Sequence, residues 1–443
     1  MSRTGPPAGL ARAGGLGAKV RSWSPALMSA AASVLMTVAS LAIARFDGFD
    51  AFGTLVTLQA VGVILGIPML WGVHVNASRA MAARADAGVV AGTALAVVAA
   101  ACLLTSAAFF VLLTLARGVL PVAAADGLGC AAGLGVSATV MTLAESLLRI
   151  RGRQVLASGL RLGCAGGYLV AVAAVLAARR GDAARYAALL TVANAACAVL
   201  MLAGLRRALG GASAGPPARG GRVFGWDGGL ARTLLREGWV YSTGQSLLTL
   251  LFGFDVILLM RASGPAAVGL YALYIGSCRR VIGILFTDSL ASLLIAALAK
   301  GRSSAGGRVV LRYAPWFLGL AGLGAFALVV VGLAAAGALD RLVPGWAVLA
   351  AAGCAAHALV IVLFCVLTVQ PSLGLAPARA ALAVAFLPGL AVQAAGAVAG
   401  GVPGMIAAFA VLNIALVWWF LAVIRRAMAG AGHRARAPEQ ARG

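Results

Sequence analysis

Twelve apolar segments, each near the length that crosses a lipid bilayer, constrain the fold of this chain more than any other feature of its sequence. An α-helix needs about 20 apolar residues to span the hydrocarbon core. The segments lie at roughly 22–44, 51–73, 88–116, 127–148, 154–178, 187–205, 238–260, 266–298, 313–336, 342–369, 378–399 and 402–424. Only 11% of the residues are charged, whereas a soluble domain carries about 25%. The sequence therefore predicts an all-α polytopic membrane protein with about 12 transmembrane helices.

Basic residues set the expected orientation of these helices. The 35 Lys and Arg give a net charge of +23, and most of them lie in the two tails and in the loops on one predicted side. Because cytoplasmic loops are enriched in Lys and Arg, we expect a multi-pass protein of the cytoplasmic (inner) cell membrane with both termini in the cytoplasm. The basic residues are not interleaved with aromatic side chains, as single-strand binding requires, so no nucleic-acid partner is expected.

The sequence also repeats itself. A displacement of 216 residues places Gly53 on Gly269, and near the end of each repeat a displacement of 219 places Asn194 on Asn413. Such matches predict a duplication. Repeats with an even number of helices enter the membrane from the same side, so they are parallel and related by an axis along the membrane normal. We therefore expect two parallel six-helix repeats around a central cavity.

The apolar segments and the repeat divide the chain into five predicted parts. These are a basic cytoplasmic tail (1–21), an N-terminal six-helix half (22–205), a cytoplasmic linker (206–237), a C-terminal six-helix half (238–424) and a second basic cytoplasmic tail (425–443). The linker is predicted from its Gly, Pro and Arg content, which is typical of a loop.

Short motifs in both halves point to one family. They are Gly238, the run Phe254–Leu259, V-G-L-Y at Val268–Tyr271, Phe52-Gly53, Gln59-Ala60, Ile67-Pro68 and the small-residue stretch Gly401–Ala410. This pattern resembles the polysaccharide exporters, the O-antigen flippase-like branch of the multidrug/oligosaccharidyl-lipid/polysaccharide (MOP) superfamily. The resemblance implies alternating-access flipping of a lipid-linked oligosaccharide of the polyprenyl-pyrophosphate type, for cell-surface polysaccharide biosynthesis. The partners that it implies are membrane lipid, the lipid-linked saccharide and polysaccharide-assembly proteins.

Charged residues within the apolar segments are candidates for binding such a substrate, because each costs about 2.5–3.5 kcal/mol at mid-membrane. Arg279 and Arg280 lie near the middle of segment 266–298. A guanidinium binds phosphate oxygens through its planar fork, so we predict that at least one of the two holds the pyrophosphate. The alternative is that they form ion pairs with Asp255 or Asp288 that serve packing.

The same two aspartates are candidates for energy coupling. Asp255 lies late in the seventh predicted helix, and Asp288 lies near the cytoplasmic end of the eighth. A carboxylate within the membrane binds a proton or a cation readily, so either residue is a candidate site for a coupling proton or sodium ion. The alternative for both is a salt bridge or an interfacial acid.

The remaining polar candidates each have a structural alternative. Arg161 is a third pyrophosphate candidate, and the alternative is that its side chain reaches the interface. Tyr271 and Tyr274 are candidates for stacking on sugar rings, although tyrosines are also common at membrane interfaces. Glu145 and Arg149 are four residues apart, which predicts an ion pair along one helix.

Motifs of catalysis and cofactor binding are absent from the sequence. The seven cysteines lie within apolar runs and form no C-x-x-C pair, so neither a metal site nor a disulfide framework is predicted. The P-loop pattern G-x-x-x-x-G-K-[ST] is missing, so this chain is not expected to hydrolyse ATP. We predict a protein without catalytic residues or cofactors, and not an enzyme.

Other membrane proteins remain as alternatives. A cation-coupled multidrug antiporter of the same fold would need a net acidic cavity, which Arg279 and Arg280 oppose. An integral-membrane glycan polymerase or ligase would need a long external loop, and the longest one predicted here has only about ten residues. A major-facilitator transporter would carry a G-x-x-x-D-[RK]-x-G-[RK] loop after its second helix, and the sequence does not fit that pattern.

Overall fold

The computed structural model describes residues 16–83, 86–116, 122–179, 181–210, 224–282, 303–369 and 375–440, and all regular structure in these ranges is helical. The α-helices are α1 (Leu16–Phe46), α2 (Gly48–Leu70), α3 (Val73–Ala83), α4 (Ala87–Ala116), α5 (Val122–Ile150), α6 (Gln154–Ala177), α7 (Ala183–Gly210), α8 (Gly228–Tyr271), α9 (Ser277–Ile282), α10 (Ser303–Ala335), α11 (Pro344–Val369) and α12 (Leu375–Gln440). A π-helical turn (Ala272–Gly276) joins α8 to α9, and a 3-10 turn (Leu339–Arg341) precedes α11.

Within the described ranges, ten helices are long and apolar enough to cross a membrane, and two of them are interrupted by a glycine. In α8, Gly264 has φ 81° and is followed by Pro265, and in α12, Gly401 has φ 55°. Residues with side chains rarely adopt these positive φ angles, so each glycine ends one helical segment and lets the next begin. The breaks coincide with those predicted between segments 238–260 and 266–298 and between 378–399 and 402–424. The prediction of an all-α polytopic membrane protein is confirmed.

The two halves of the chain pack their helices in a similar way. In the N-terminal half, α1 packs on α6, and α7 packs on α5. In the C-terminal half, the long α12 supplies both partners, because it packs on α8 and on α11. This correspondence is what a duplication predicts.

A close crossing of α2 and α8 joins the halves. Here Gly53 faces the backbone of Pro265 and Gly269, and a Cβ atom on Gly53 would lie 1.8 Å from the carbonyl oxygen of Pro265. A Cβ atom on Gly269 would lie 2.4 Å from the carbonyl oxygen of Phe49. The two repeat-matched glycines thus lie at one contact, and we call it the Gly53–Gly269 crossing.

The other end of α2 also contacts α8. The ring of Trp71 stacks on that of Trp239, with centroids 5.0 Å apart, and Trp71 Nε1 donates a hydrogen bond to the carbonyl of Leu235 at 3.2 Å. A Cβ atom on Gly238 would lie 2.3 Å from the carbonyl oxygen of Trp71. The helices α2 and α8 therefore meet at two points, and both halves border the space between these contacts.

Helical structure enters the predicted linker 206–237 from both sides. The helix α7 continues to Gly210, and α8 begins at Gly228. Asp227 caps α8, since its Oδ1 accepts a hydrogen bond from the backbone N–H of Leu230 at 3.0 Å, and its own N–H donates to Thr93 Oγ1 at 2.9 Å. Residues 211–223 lie outside the described ranges.

Candidate functional site

Two cavities lie on either side of α2. The N-terminal cavity has a volume of about 280 Å³ and is lined by α1, α2, α5, α6 and α7. The central cavity has a volume of about 340 Å³ and lies between α2 of one half and α8, α9 and α11 of the other. Gln59 and Val63 line both cavities, so α2 is the wall that they share.

A buried ion pair between Asp255 and Arg279 lies at the wall of the central cavity, and Arg279 is the member of the pair that lines it. Arg279 Nη1 lies 2.7 Å from Asp255 Oδ2, and the aspartate is fully buried, whereas the side chain of Arg279 is 21% exposed. Asp255 Oδ2 also accepts from Tyr271 Oη at 2.7 Å, and Oδ1 accepts from the N–H of Val256 at 2.7 Å. Arg279 Nη2 donates to the carbonyl of Phe252. Both oxygens of the carboxylate are therefore satisfied, and the partly exposed side chain of Arg279 lines the cavity.

Aromatic rings surround the guanidinium of Arg279. Its central carbon lies 5.7 Å from the ring centroid of Phe252 and 5.3 Å from that of Phe409, distances at which a cation is attracted to the ring face. His357 borders the same cavity, and its Nδ1 lies 3.0 Å from Asn413 Oδ1. The amide of Asn413 donates to the carbonyl of Phe409 at 2.8 Å. These contacts fix the position of the arginine at the cavity wall.

The N-terminal cavity has its own arginine. Arg161 lines this cavity, and its Nη1 lies 3.5 Å from Glu145 Oε2. Glu145 also pairs with Arg149, whose Nη2 lies 2.6 Å from Oε1, which confirms the ion pair predicted from their spacing. Since one carboxylate faces two guanidinium groups, these three residues together carry one net positive charge.

The other candidate residues are placed as follows. Tyr271 and Tyr274 are fully buried, and their hydroxyls are engaged, Tyr271 with Asp255 and Tyr274 with the carbonyl of Arg341 at 2.7 Å. Neither ring lines the N-terminal or the central cavity, so stacking on sugar stays a prediction that finds no support here. The Arg280 side chain and all of Asp288 lie outside the described residues.

The shared wall of the cavities was not predicted from the sequence. Gln59 entered the sequence argument only as part of a family motif, yet it lines both cavities. A signal was present, because a polar side chain in the middle of an apolar helix is costly and faces other protein or a cavity.

Comparisons with known proteins identify the fold. No family model matches the sequence, and no curated protein does so. Among solved structures, an inward-facing multidrug resistance MATE family transporter of the MOP superfamily has a TM-score of 0.57 and 14% identity, over 90% of this chain and 95% of that one. The MATE multidrug transporter DinF-BH, solved in complex with a ligand, has a TM-score of 0.53 and 15% identity, over 93% and 96%. This chain therefore has the fold of the MATE transporters of the MOP superfamily.

Proposed function

We propose that this protein is a MOP-type transporter that moves a polyprenyl-diphosphate-linked saccharide across the membrane by alternating access. The observation that carries the proposal is the arginine that lines each cavity. Arg161 lines one and Arg279 lines the other, and among the described lining residues neither cavity has an aspartate or a glutamate. Because a guanidinium matches phosphate oxygens in geometry and in charge, these walls suit an anionic headgroup.

Acidic residues behind the walls pair with both arginines. In the N-terminal cavity, Glu145 faces Arg149 and Arg161. In the central cavity, Asp255 pairs with Arg279. A diphosphate that enters either cavity would therefore compete with a carboxylate for the guanidinium. The lipid tail would stay in the bilayer while the headgroup occupies the cavities.

The helix α2 connects binding to movement of the halves. It lines both cavities and contacts α8 at the Gly53–Gly269 crossing and at Trp71. Alternating access requires contacts between the halves to break at one end and persist at the other. A headgroup that displaces α2 would act on both α2–α8 contacts at once.

A second candidate function has a specific observation in its favour. Both structural neighbours described above are multidrug transporters, and one of them was solved with a ligand bound. A cation-coupled multidrug antiporter of the same fold is therefore the alternative. The lining of the cavities favours the anion, because each wall has a guanidinium donor and, among the described lining residues, no carboxylate that would bind a cationic drug.

Flipping by the purified protein in liposomes tests the proposal. A polyprenyl-diphosphate oligosaccharide is incorporated in the bilayer, and the fraction of saccharide that an added glycosidase can cleave is followed over time. We expect the wild type to flip the lipid. The variants Arg161→Gln and Arg279→Gln should each lower the rate about tenfold or more, because each loses one charge-assisted hydrogen bond to the substrate. The exposed residue Arg232 on α8 supplies the matched control, Arg232→Gln, which should keep the wild-type rate.

Two outcomes would contradict the proposal. If the wild type leaves the saccharide inaccessible while it transports the lipophilic organic cation tetraphenylphosphonium, the multidrug alternative holds. If it flips the lipid and both cavity variants do so at the wild-type rate, the arginines do not bind the substrate.

A further inference from the structure

The Asp255–Arg279 pair occupies the position that the sequence suggested for a coupling ion. Asp255 is fully buried, and its two oxygens accept from Arg279, Tyr271 and the N–H of Val256. In this state the cation bound to the carboxylate is a side chain of the protein. The aspartate therefore has its counter-charge without any ion from solution.

The side chain of Arg279 also lines the cavity. Nη1 is held by Asp255 and Nη2 by the carbonyl of Phe252, while 21% of the side chain is exposed. A guanidinium has five N–H donors, so an anion in the central cavity can bind it from the open side. The anion and Asp255 then share one positive charge.

The charge balance of the central cavity changes when an anion enters it. The pair is neutral, so the added negative charge is not compensated, and an uncompensated charge out of water is costly. The residues of α2 that line the cavity, such as Gln59, are uncharged. Among the described residues, the titratable groups near the pair are Tyr271 on α8, Cys278 on α9, and Cys354 and His357 on α11.

Resting on the proposed function, we propose that the substrate anion and Asp255 compete for Arg279, so that each anion bound in the central cavity brings one proton onto Asp255. The guanidinium turns toward the anion, and the aspartate is left buried beside Tyr271. A proton from the solvent that enters the cavity binds an oxygen of Asp255 and offsets one of the negative charges that the anion brings. No bond other than this O–H is formed.

The test measures binding of farnesyl diphosphate to the purified protein at pH 6.5 and pH 8.5. Uptake of one proton makes the association constant rise by up to about tenfold for each unit by which the pH falls. Asp255→Asn has no carboxylate to protonate, so its Arg279 is available at both pH values. We expect Asp255→Asn to bind the probe more tightly than the wild type at pH 8.5 and to approach the wild type at pH 6.5. The ratio of the association constant of Asp255→Asn to that of the wild type, taken at each pH, cancels the pH dependence that comes from titration of the diphosphate itself.

Further variants assign the proton to one residue. His357→Gln should keep the pH dependence of the wild type, and the exposed control Arg232→Gln should keep it too. If His357→Gln loses the pH dependence and Asp255→Asn keeps it, the proton binds the histidine and the inference is wrong. Should Asp255→Asn fail to fold, proton uptake by the wild type in weak buffer supplies the same information. We expect the protein to take up about one proton for each diphosphate bound, in addition to any proton that the probe itself takes up. The absence of this uptake would overturn the proposal.

Failure of this inference differs from failure of the proposed function. Farnesyl diphosphate binding with the same ratio of constants at both pH values would overturn proton exchange at Asp255 and leave the substrate class intact. Absence of binding to the wild type and to Asp255→Asn at both pH values would overturn the substrate class and the exchange together.

Discussion

The Gly53–Gly269 crossing makes a quantitative prediction about the contact between the halves. In Gly53→Ala, the added Cβ would lie 1.8 Å from the carbonyl oxygen of Pro265, whereas ordinary contact begins at 3.4 Å. The two backbones must therefore separate by about 1.6 Å at this point, the difference between these distances. Neither partner is a flexible side chain, so the strain cannot be relieved by a rotamer change. Overpacking of this kind costs about 1–3 kcal/mol.

Thermal unfolding in detergent measures this cost. Gly163 on α6 supplies the matched control, because a Cβ atom added there would have nothing within 4 Å, and Gly163→Ala should be neutral or stabilising by up to about 1 kcal/mol. Gly53→Ala and Gly269→Ala should both lower the unfolding temperature, and the double variant should lose less than the sum because both act on one crossing. Equal stability of Gly53→Ala and Gly163→Ala would refute the close approach of α2 and α8.

Three further predictions concern the cavities and the surface. Asn413→Leu should lower the free energy of unfolding by about 1–3 kcal/mol, because it removes the buried hydrogen bond to a histidine. The repeat-matched Asn194→Leu should lower it by less, and equal decreases in the two variants would contradict this prediction. Glu145→Gln should strengthen diphosphate binding about tenfold, or about 1.4 kcal/mol, as measured by titration, because the carboxylate beside Arg161 is removed. Unchanged affinity would show that the Glu145–Arg161 ion pair does not limit binding. Fluorescence of Trp418, which is 73% exposed, should be quenched by brominated lipid in a variant that keeps only this tryptophan, and the absence of quenching would remove it from the lipid-facing surface.

The sequence predicts the fold well where the physical signal is local. The length of an apolar run is read directly from the chain, and Gly264 and Gly401 interrupt two such runs at predicted breaks. Elements without an apolar run could not be found in this way. The short α3 (Val73–Ala83) is held by contacts such as that of Asn76 Nδ2, which donates to the carbonyl of Leu234 at 3.4 Å.

The site required the tertiary structure because its partners are distant in sequence. Asp255 and Arg279 were both predicted as functional, with their ion pair left as an alternative, since helical periodicity does not say which face of one helix meets another. The repeat identified Gly53 and Gly269 as equivalent positions, but equivalence alone does not imply contact. Only the packing of α2 on α8 shows that they meet.

Binding of two ligands to one sample tests whether the cavities recognise an anionic headgroup. The purified wild type is titrated with a polyprenyl-diphosphate saccharide and, separately, with tetraphenylphosphonium, under identical conditions of pH and salt. The basic walls at Arg161 and Arg279 predict saturable binding of the diphosphate, weakened in the variant Arg161→Gln/Arg279→Gln, and little binding of the organic cation. Tight binding of tetraphenylphosphonium together with no measurable binding of the diphosphate would contradict the account.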